Sequence, residues 1–269
     1  MPLADIERAF HRKPAFMPYF PIGYPTAADS LGAIEALAGN GADLIEVGIP
    51  FSDPLADGPV IQRATQIALQ NGVTVPGVLE SIAELRRRGV GIPLILMGYY
   101  NPILRFGPKA FCDAAVAAGA DGLIVPDLPA EESTELEDAL GGRMPLIRMI
   151  APTTSADRAR RICAGAEGFL YLVSVTGVTG ARDRVPPGLP EFITRVRLTA
   201  PKGLPLCVGF GIATPSQAAE VGKLADGVIV GTACVRAVGE SADPKRAAAD
   251  FAAAFRKALD LPLGTLHHM

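Results

Sequence analysis

Eight short apolar runs, separated by longer stretches with helical periodicity, constrain this sequence more than any other feature. They begin at Ala15 (AFMPYFPIG), Asp43 (DLIEVGIP), Pro93 (PLILMGYY), Asp121 (DGLIVPDL), Pro145 (PLIRMIAP), Gly168 (GFLYLVSV), Leu204 (LPLCVGFG) and Asp226 (DGVIVGTA). Most are continuously apolar rather than alternating, the pattern of parallel strands covered on both faces. A weak internal repeat follows the same count. GADLIEVG from Gly41, GADGLIVP from Gly119, GAEGFLYL from Gly165 and LADGVIVG from Leu224 share one design. A small residue ends a helix, an acidic residue follows, and a strand begins. These are the even-numbered runs; runs three, five and seven open with Pro-Leu. Layers of side chains inside a closed eight-stranded cylinder produce such an odd/even alternation. An open doubly wound sheet is the competing architecture, but no G-x-G-x-x-G follows the first run. The expected fold class is α/β, a (β/α)8 TIM barrel.

Helices are expected at about Ser30–Ala38, Val60–Gln70, Glu80–Arg88, Lys109–Ala118, Glu131–Leu140, Ala156–Cys163, Pro190–Leu198, Ser216–Val221 and Lys245–Leu259. Two of them lie between the second and third strands, so one is additional to the repeat. Leu3–Phe10 reads as an N-terminal helix plugging the base of the barrel. No linker or composition shift divides the 269 residues, so a single domain over 1–269 is expected.

Composition excludes several function classes. Lys and Arg number 25 and Asp and Glu 28, a net charge of −3. A nucleic-acid binder would carry a basic face, so none is expected to bind here. A small anion remains possible, because backbone N–H groups bind phosphate without net charge. Cys112, Cys163, Cys207 and Cys234 form no C-x-x-C pair, which suggests free thiols in a reducing cytoplasm. The first residues lack an apolar core for a signal peptide, and no run is long enough to span a membrane. The three His are terminal, which argues against His-based triads and metal sites, and no metal is expected. No Lys lies in an apolar strand run, which argues against a Schiff-base aldolase.

In barrels of this kind the active site lies at the carboxyl ends of the strands. Glu46 shares a strand face with Leu44 and Gly48. It is either a carboxylate paired with a core cation or a general acid/base whose pKa burial has raised. The next loop, PFSDPLADGP from Pro50, adds Asp53 and Asp57. Asp-Pro and Asp-Gly are turn formers, and Asp57 is also placed to cap a helix. Alternatively, Glu46 and Asp57 form an acid/base pair. Three glycine-rich turns follow strands six to eight: VTGVTG from Val175, VGFG from Val208 and VGT from Val230. Together they suggest a phosphate site built from backbone N–H groups. Tyr19, Tyr99, Tyr100, Tyr171 and Phe210 lie near strand ends, where they either pack the core or line a flat aromatic pocket.

These residues carry a resemblance. LIEVGIPFSDPLADGP from Leu44 is the most specific match, with MPYFPIGYP, YYNPI, VPDLPAEE, YLVSVTGVTG and GFGI in support. Over nearly its whole length the sequence resembles the tryptophan synthase α subunit family. That resemblance implies retro-aldol cleavage of indole-3-glycerol phosphate to indole and glyceraldehyde 3-phosphate, without a cofactor. It implies that Glu46 and Asp57 are catalytic. Tyr19, Tyr99, Tyr171, Thr179 and Phe210 are expected to contact substrate, and Gly180, Gly211, Gly231 and Thr232 its phosphate. It also implies a pyridoxal-phosphate β subunit as partner, in an assembly of two α and two β chains through which indole passes. By the same resemblance Asp53 and Pro54 face that partner, and the loop from Gly177 to about Gly188 closes over substrate. Tyr19 stands where the family commonly has Phe, and Thr232 where it commonly has Ser; Pro21 and Pro126 occupy variable positions. The alternatives are a free-standing lyase of the same chemistry, a non-catalytic barrel that activates a β partner, or another phosphate-binding barrel. An indole-glycerol-phosphate synthase would want catalytic lysines at strand ends, and none is found.

Overall fold

The computed structural model describes residues 2–173, 187–209 and 211–261. Eight parallel strands form one sheet: β1 (Ala15–Pro21), β2 (Ile45–Gly48), β3 (Leu94–Met97), β4 (Gly122–Ile124), β5 (Arg148–Ile150), β6 (Leu170–Val173), β7 (Leu206–Gly209) and β8 (Gly227–Val230). Their order is β4-β3-β2-β1-β8-β7-β6-β5. A single parallel bridge, Leu123 to Leu146, joins the two end strands and makes the sheet a nearly closed barrel. All eight expected runs are strands. Each is short, because only its central residues lie between the covering helices and the barrel interior.

The described helices are α1 (Pro2–Ala9), α2 (Ala27–Gly39), α3 (Pro59–Gln70), α4 (Val75–Arg87), α5 (Tyr100–Phe106), α6 (Pro108–Ala118), α7 (Thr134–Leu140), α8 (Ala156–Ala164), α9 (Leu189–Arg197), α10 (Pro215–Gly222), α11 (Thr232–Gly239) and α12 (Pro244–Leu259). Three depart from the sequence reading. The fourth starts at Val75, not Glu80: Thr74 caps it, and Pro76 falls in the first turn, where a missing N–H costs nothing. The fifth was hidden by Asn101-Pro102, which reads as a turn; Pro102 again sits in a first turn. The eleventh was hidden because its apolar Cys234, Val235 and Val238 continue the preceding strand run. None of the described helices is long and apolar enough to cross a membrane.

The repeat in the even runs has a physical cause. Asp43, at the start of β2, accepts the N–H of Phe16 on β1 at 2.7 Å and pairs with Arg256 at 2.7 Å. Asp121 accepts the N–H of Leu94 on β3 at 2.8 Å and pairs with Arg86. Asp226 accepts the N–H of Leu206 on β7 at 3.0 Å and pairs with Arg197 at 2.6 Å. Three consecutive-strand pairs are thus tied by a carboxylate that satisfies a strand-end donor and a cation together. In the remaining repeat, from Gly165, Glu167 is exposed and accepts no such bond among the described residues. The glycine that follows three of the four acids has its own role. A Cβ on Gly227 would lie 3.3 Å from the Phe10 ring, and one on Gly122 or Gly168 would lie 3.6 Å from Ile6. Ile6 and Phe10 at the end of α1 are buried against these strand starts, so α1 closes the base.

Asp43→Ala should therefore cost about 3 kcal/mol, because it orphans a strand N–H and leaves a buried guanidinium short of a partner. Glu167→Ala should stay within about 0.5 kcal/mol. Urea unfolding of the two variants checks the contrast; equal losses would remove the clamp from the account of the fold.

Candidate active site

The strand that carries Glu46 is among the most apolar in the chain: Leu44, Ile45 and Val47 are fully buried. Parallel pairing to β1 and β3 fixes its register, with Glu46 opposite Tyr19 and Ile95. Pleating then sends Glu46 and Gly48 to one face. That face is the interior, since a Cβ on Gly48 would fall 2.2 Å from the Tyr19 hydroxyl oxygen. Glu46 is 1% exposed, and its Oε1 has no hydrogen-bond partner among the described residues. No described cation pairs with it, so the core ion-pair reading fails. Burial alone pushes its pKa up to about 8.

Asp57 is reached through the loop after β2. Its own N–H bonds to the Pro54 carbonyl at 3.0 Å, and Gln62 donates to its carbonyl at 3.0 Å. The N-cap of α3 is Gly58, with no side-chain cap. The Asp57 carboxylate instead accepts the Tyr99 hydroxyl at 2.9 Å. That hydroxyl also accepts the Ala56 N–H at 2.9 Å, so Tyr99 ties the loop to the end of β3. Burial pushes Asp57 up to about 6, against the lowering effect of the Tyr99 hydrogen bond. The two carboxyls therefore prefer opposite protonation states between pH values of about 6 and 8.

A small pocket of about 10 Å³ lies at this rim, lined by residues that include Tyr19, Asp57, Thr65, Met97, Tyr99 and Pro126. Glu46 is not among the residues that line it, but it pairs in register with Tyr19, which is. A wider, more open crevice follows the seam between β4 and β5, where the ladder ends at Leu123 and Ile147. Pro126 lines both spaces. Tyr171 is buried on β6, with its hydroxyl over Gly209, where a Cβ would come within 2.3 Å. Burial, then Glu46 and Asp57, raise its pKa, so it keeps its proton. Tyr100 turns away: its hydroxyl donates to Glu135 at 3.1 Å. Asp53 is exposed on the loop. Thr65 and Met97 were missed from sequence; Thr65 sits one turn after Ile61 on the buried stripe of α3, which is the signal that marks it.

The turns after β7 and β8 are partly or wholly described. Gly231 is the N-cap of α11, which has no side-chain cap, so the first N–H groups of that helix, beginning at Thr232, are available to a ligand. A Cβ on Gly231 would meet Ile61 at 3.6 Å and Tyr19 at 3.7 Å, which puts this terminus beside the pocket wall. Gly211, after β7, has φ +83 and is exposed. Thr179, Gly180 and Phe210 lie outside the described residues, as does most of the loop expected to close over substrate. Among the described residues no cluster of three His, Cys, Asp or Glu side chains is arranged to hold a metal.

The chain is similar to known proteins over most of its length. Residues 7–260 match the family model for the tryptophan synthase alpha chain. The tryptophan synthase alpha chain of Chloroflexus aggregans is 54% identical over 222 residues, 82% of each chain. That of Dehalococcoides mccartyi is 43% identical, covering 96% of this chain and all of the relative. The crystal structure of tryptophan synthase subunit alpha from Legionella pneumophila superposes with a TM-score of 0.87 at 37% identity, covering 95% of this chain and 98% of that one. With eight parallel strands, two carboxyls under one rim and this match over most of its length, the chain belongs to the tryptophan synthase alpha chain family.

Proposed function

We propose that this chain is the lyase subunit that cleaves indole-3-glycerol phosphate to indole and glyceraldehyde 3-phosphate, by carboxylate acid/base catalysis. The observation that carries the reading is a pair of buried carboxyls: Glu46, whose Oε1 has no partner among the described residues, and Asp57, held by Tyr99; burial raises the pKa of both, that of Glu46 further. Breaking the C3–C3′ bond needs a proton on indole C3 and removal of the C3′ hydroxyl proton. Glu46 gives the first proton and, once ionised, takes the second. Positive charge grows on the indole nitrogen meanwhile, and the Asp57 carboxylate beside N1–H stabilises it. Tyr19, Tyr99 and Tyr171 hold the ring, and Phe210 and Thr179 are assigned to substrate contact by the family resemblance. The α11 N-terminus at Gly231 and Thr232, with Gly180 and Gly211, binds the phosphate. These residues supply the chemistry without a cofactor.

We also infer that the chain acts as one cytoplasmic domain in an assembly of two α and two β chains, passing indole to β and binding no nucleic acid. The exposed side chains support a docking rim. Leu55 is 89% exposed and Leu104 50%, on neighbouring segments joined through the bond from Ala56 to Tyr99, beside Asp53 and Pro54. Exposed leucines of this kind on a loop and a short helix favour a protein partner over solvent. Indole release from indole-3-glycerol phosphate, assayed with and without β subunit, tests the reading. Slow release alone and at least about tenfold stimulation by β are expected, since docking fixes a loop that carries Asp57. Equal rates would favour the free-standing lyase, and no release in either case a non-catalytic activator.

A further inference from the structure

The pocket is walled by two phenols that differ in one respect. Tyr99 uses both its hydrogen-bonding capacities, accepting from Ala56 and donating to Asp57. Tyr19 is 7% exposed and forms no hydrogen bond with any described residue. Its hydroxyl occupies the space over Gly48, two residues beyond Glu46 on the same strand face, so it lies on the rim side of that carboxyl. Asp57 and Glu46 are the charged groups that act on it, and both, after burial, hold its proton in place. Packing against the pocket wall needs only the ring. A hydroxyl on the pocket wall that makes no bond to a described residue is free to donate to a ligand oxygen there.

We propose that the Tyr19 hydroxyl donates a hydrogen bond to the C3′ oxygen of the bound substrate, the same oxygen whose proton Glu46 removes. This rests on the lyase reading and adds to it a donor for the charge that builds on that oxygen. In the step, the C3′ O–H proton passes to the Glu46 carboxylate. The O–H electron pair becomes the aldehyde π bond. The pair of the breaking C3–C3′ bond returns to the ring and neutralises its nitrogen. Tyr19 donates throughout and loses no proton.

Tyr19→Phe removes one atom and keeps the ring, so the fold and the aromatic wall survive. Two ligands separate the roles: indole-3-glycerol phosphate, and 3-(indol-3-yl)propyl phosphate, which lacks both chain hydroxyls and cannot be cleaved. The variant, assayed with β subunit, should lose roughly tenfold to a hundredfold in kcat/KM, mostly in kcat. Its affinity for the propyl phosphate should stay within about twofold of the wild type. Unchanged kcat/KM, or an equal loss of affinity for the propyl phosphate, would overturn the assignment. Failure of the wild-type protein to release indole would instead remove the parent reading, and with it this one; the ratio of variant to wild type speaks to Tyr19 alone.

Discussion

Glu46→Gln is expected to abolish indole release, by roughly 10³-fold or more, while substrate still binds with near-normal affinity. Gln keeps the shape and neutrality of the protonated acid, so the apolar surroundings and the register opposite Tyr19 are undisturbed. It cannot give a proton to indole C3, and no described side chain bonds to Oε1 to take over the task. Single-turnover release of indole and calorimetric binding of substrate give the two halves of the result; near-wild-type turnover refutes the role. The same substitution has an opposite effect on stability. In the folded chain Glu46 has a pKa of about 8, against an ordinary value of 4.5. Between those values the folded state holds a proton that the unfolded state has released, so stability falls as pH rises through that window. Gln has no such dependence. Its melting temperature should therefore gain on the wild type from about pH 5 to about pH 9 and level off above.

The barrel was legible because its strands are buried on both faces, which leaves continuous apolar runs such as IEVG and LILM, and because the acid at the start of each even run recurs. What the recurrence does was not legible. Asp43, Asp121 and Asp226 find their donors on the preceding strand and their cations up to 213 residues away in sequence. Glu167 looks the same in sequence, yet its side chain accepts no strand N–H among the described residues. At the site, Glu46 could be read as odd because a carboxylate within an apolar strand costs free energy unless paired or used. The sequence left that choice open, and the lack of any described cation beside it decides against pairing. Asp57 was ambiguous for a different reason. Capping and turn formation are local preferences, whereas its actual partner, Tyr99, lies 42 residues on. Thr65 was invisible because a helix stripe marks the buried face without marking which part of it meets a cavity.

Asp57→Asn is expected to slow cleavage by about 10²-fold, with the loss in kcat rather than KM. Asn keeps an oxygen that can accept the Tyr99 hydroxyl, so the loop stays tied to β3. Only the charge is lost, and in the proposed mechanism that charge matters when the indole nitrogen becomes positive, after C3 is protonated. The pH profile separates this from a positional defect. Wild-type kcat/KM should be bell-shaped, falling below about pH 6 as Asp57 takes a proton and above about pH 8 as Glu46 releases its own. In the Asn variant the alkaline limb should remain and the acid limb should vanish. Tyr99→Phe gives the converse. It removes a hydrogen bond that favours the ionised carboxylate, so the acid limb should move to higher pH while the alkaline limb stays. An acid limb that survives in Asp57→Asn would belong to another group, and the positive charge on the ring would then need a different anion.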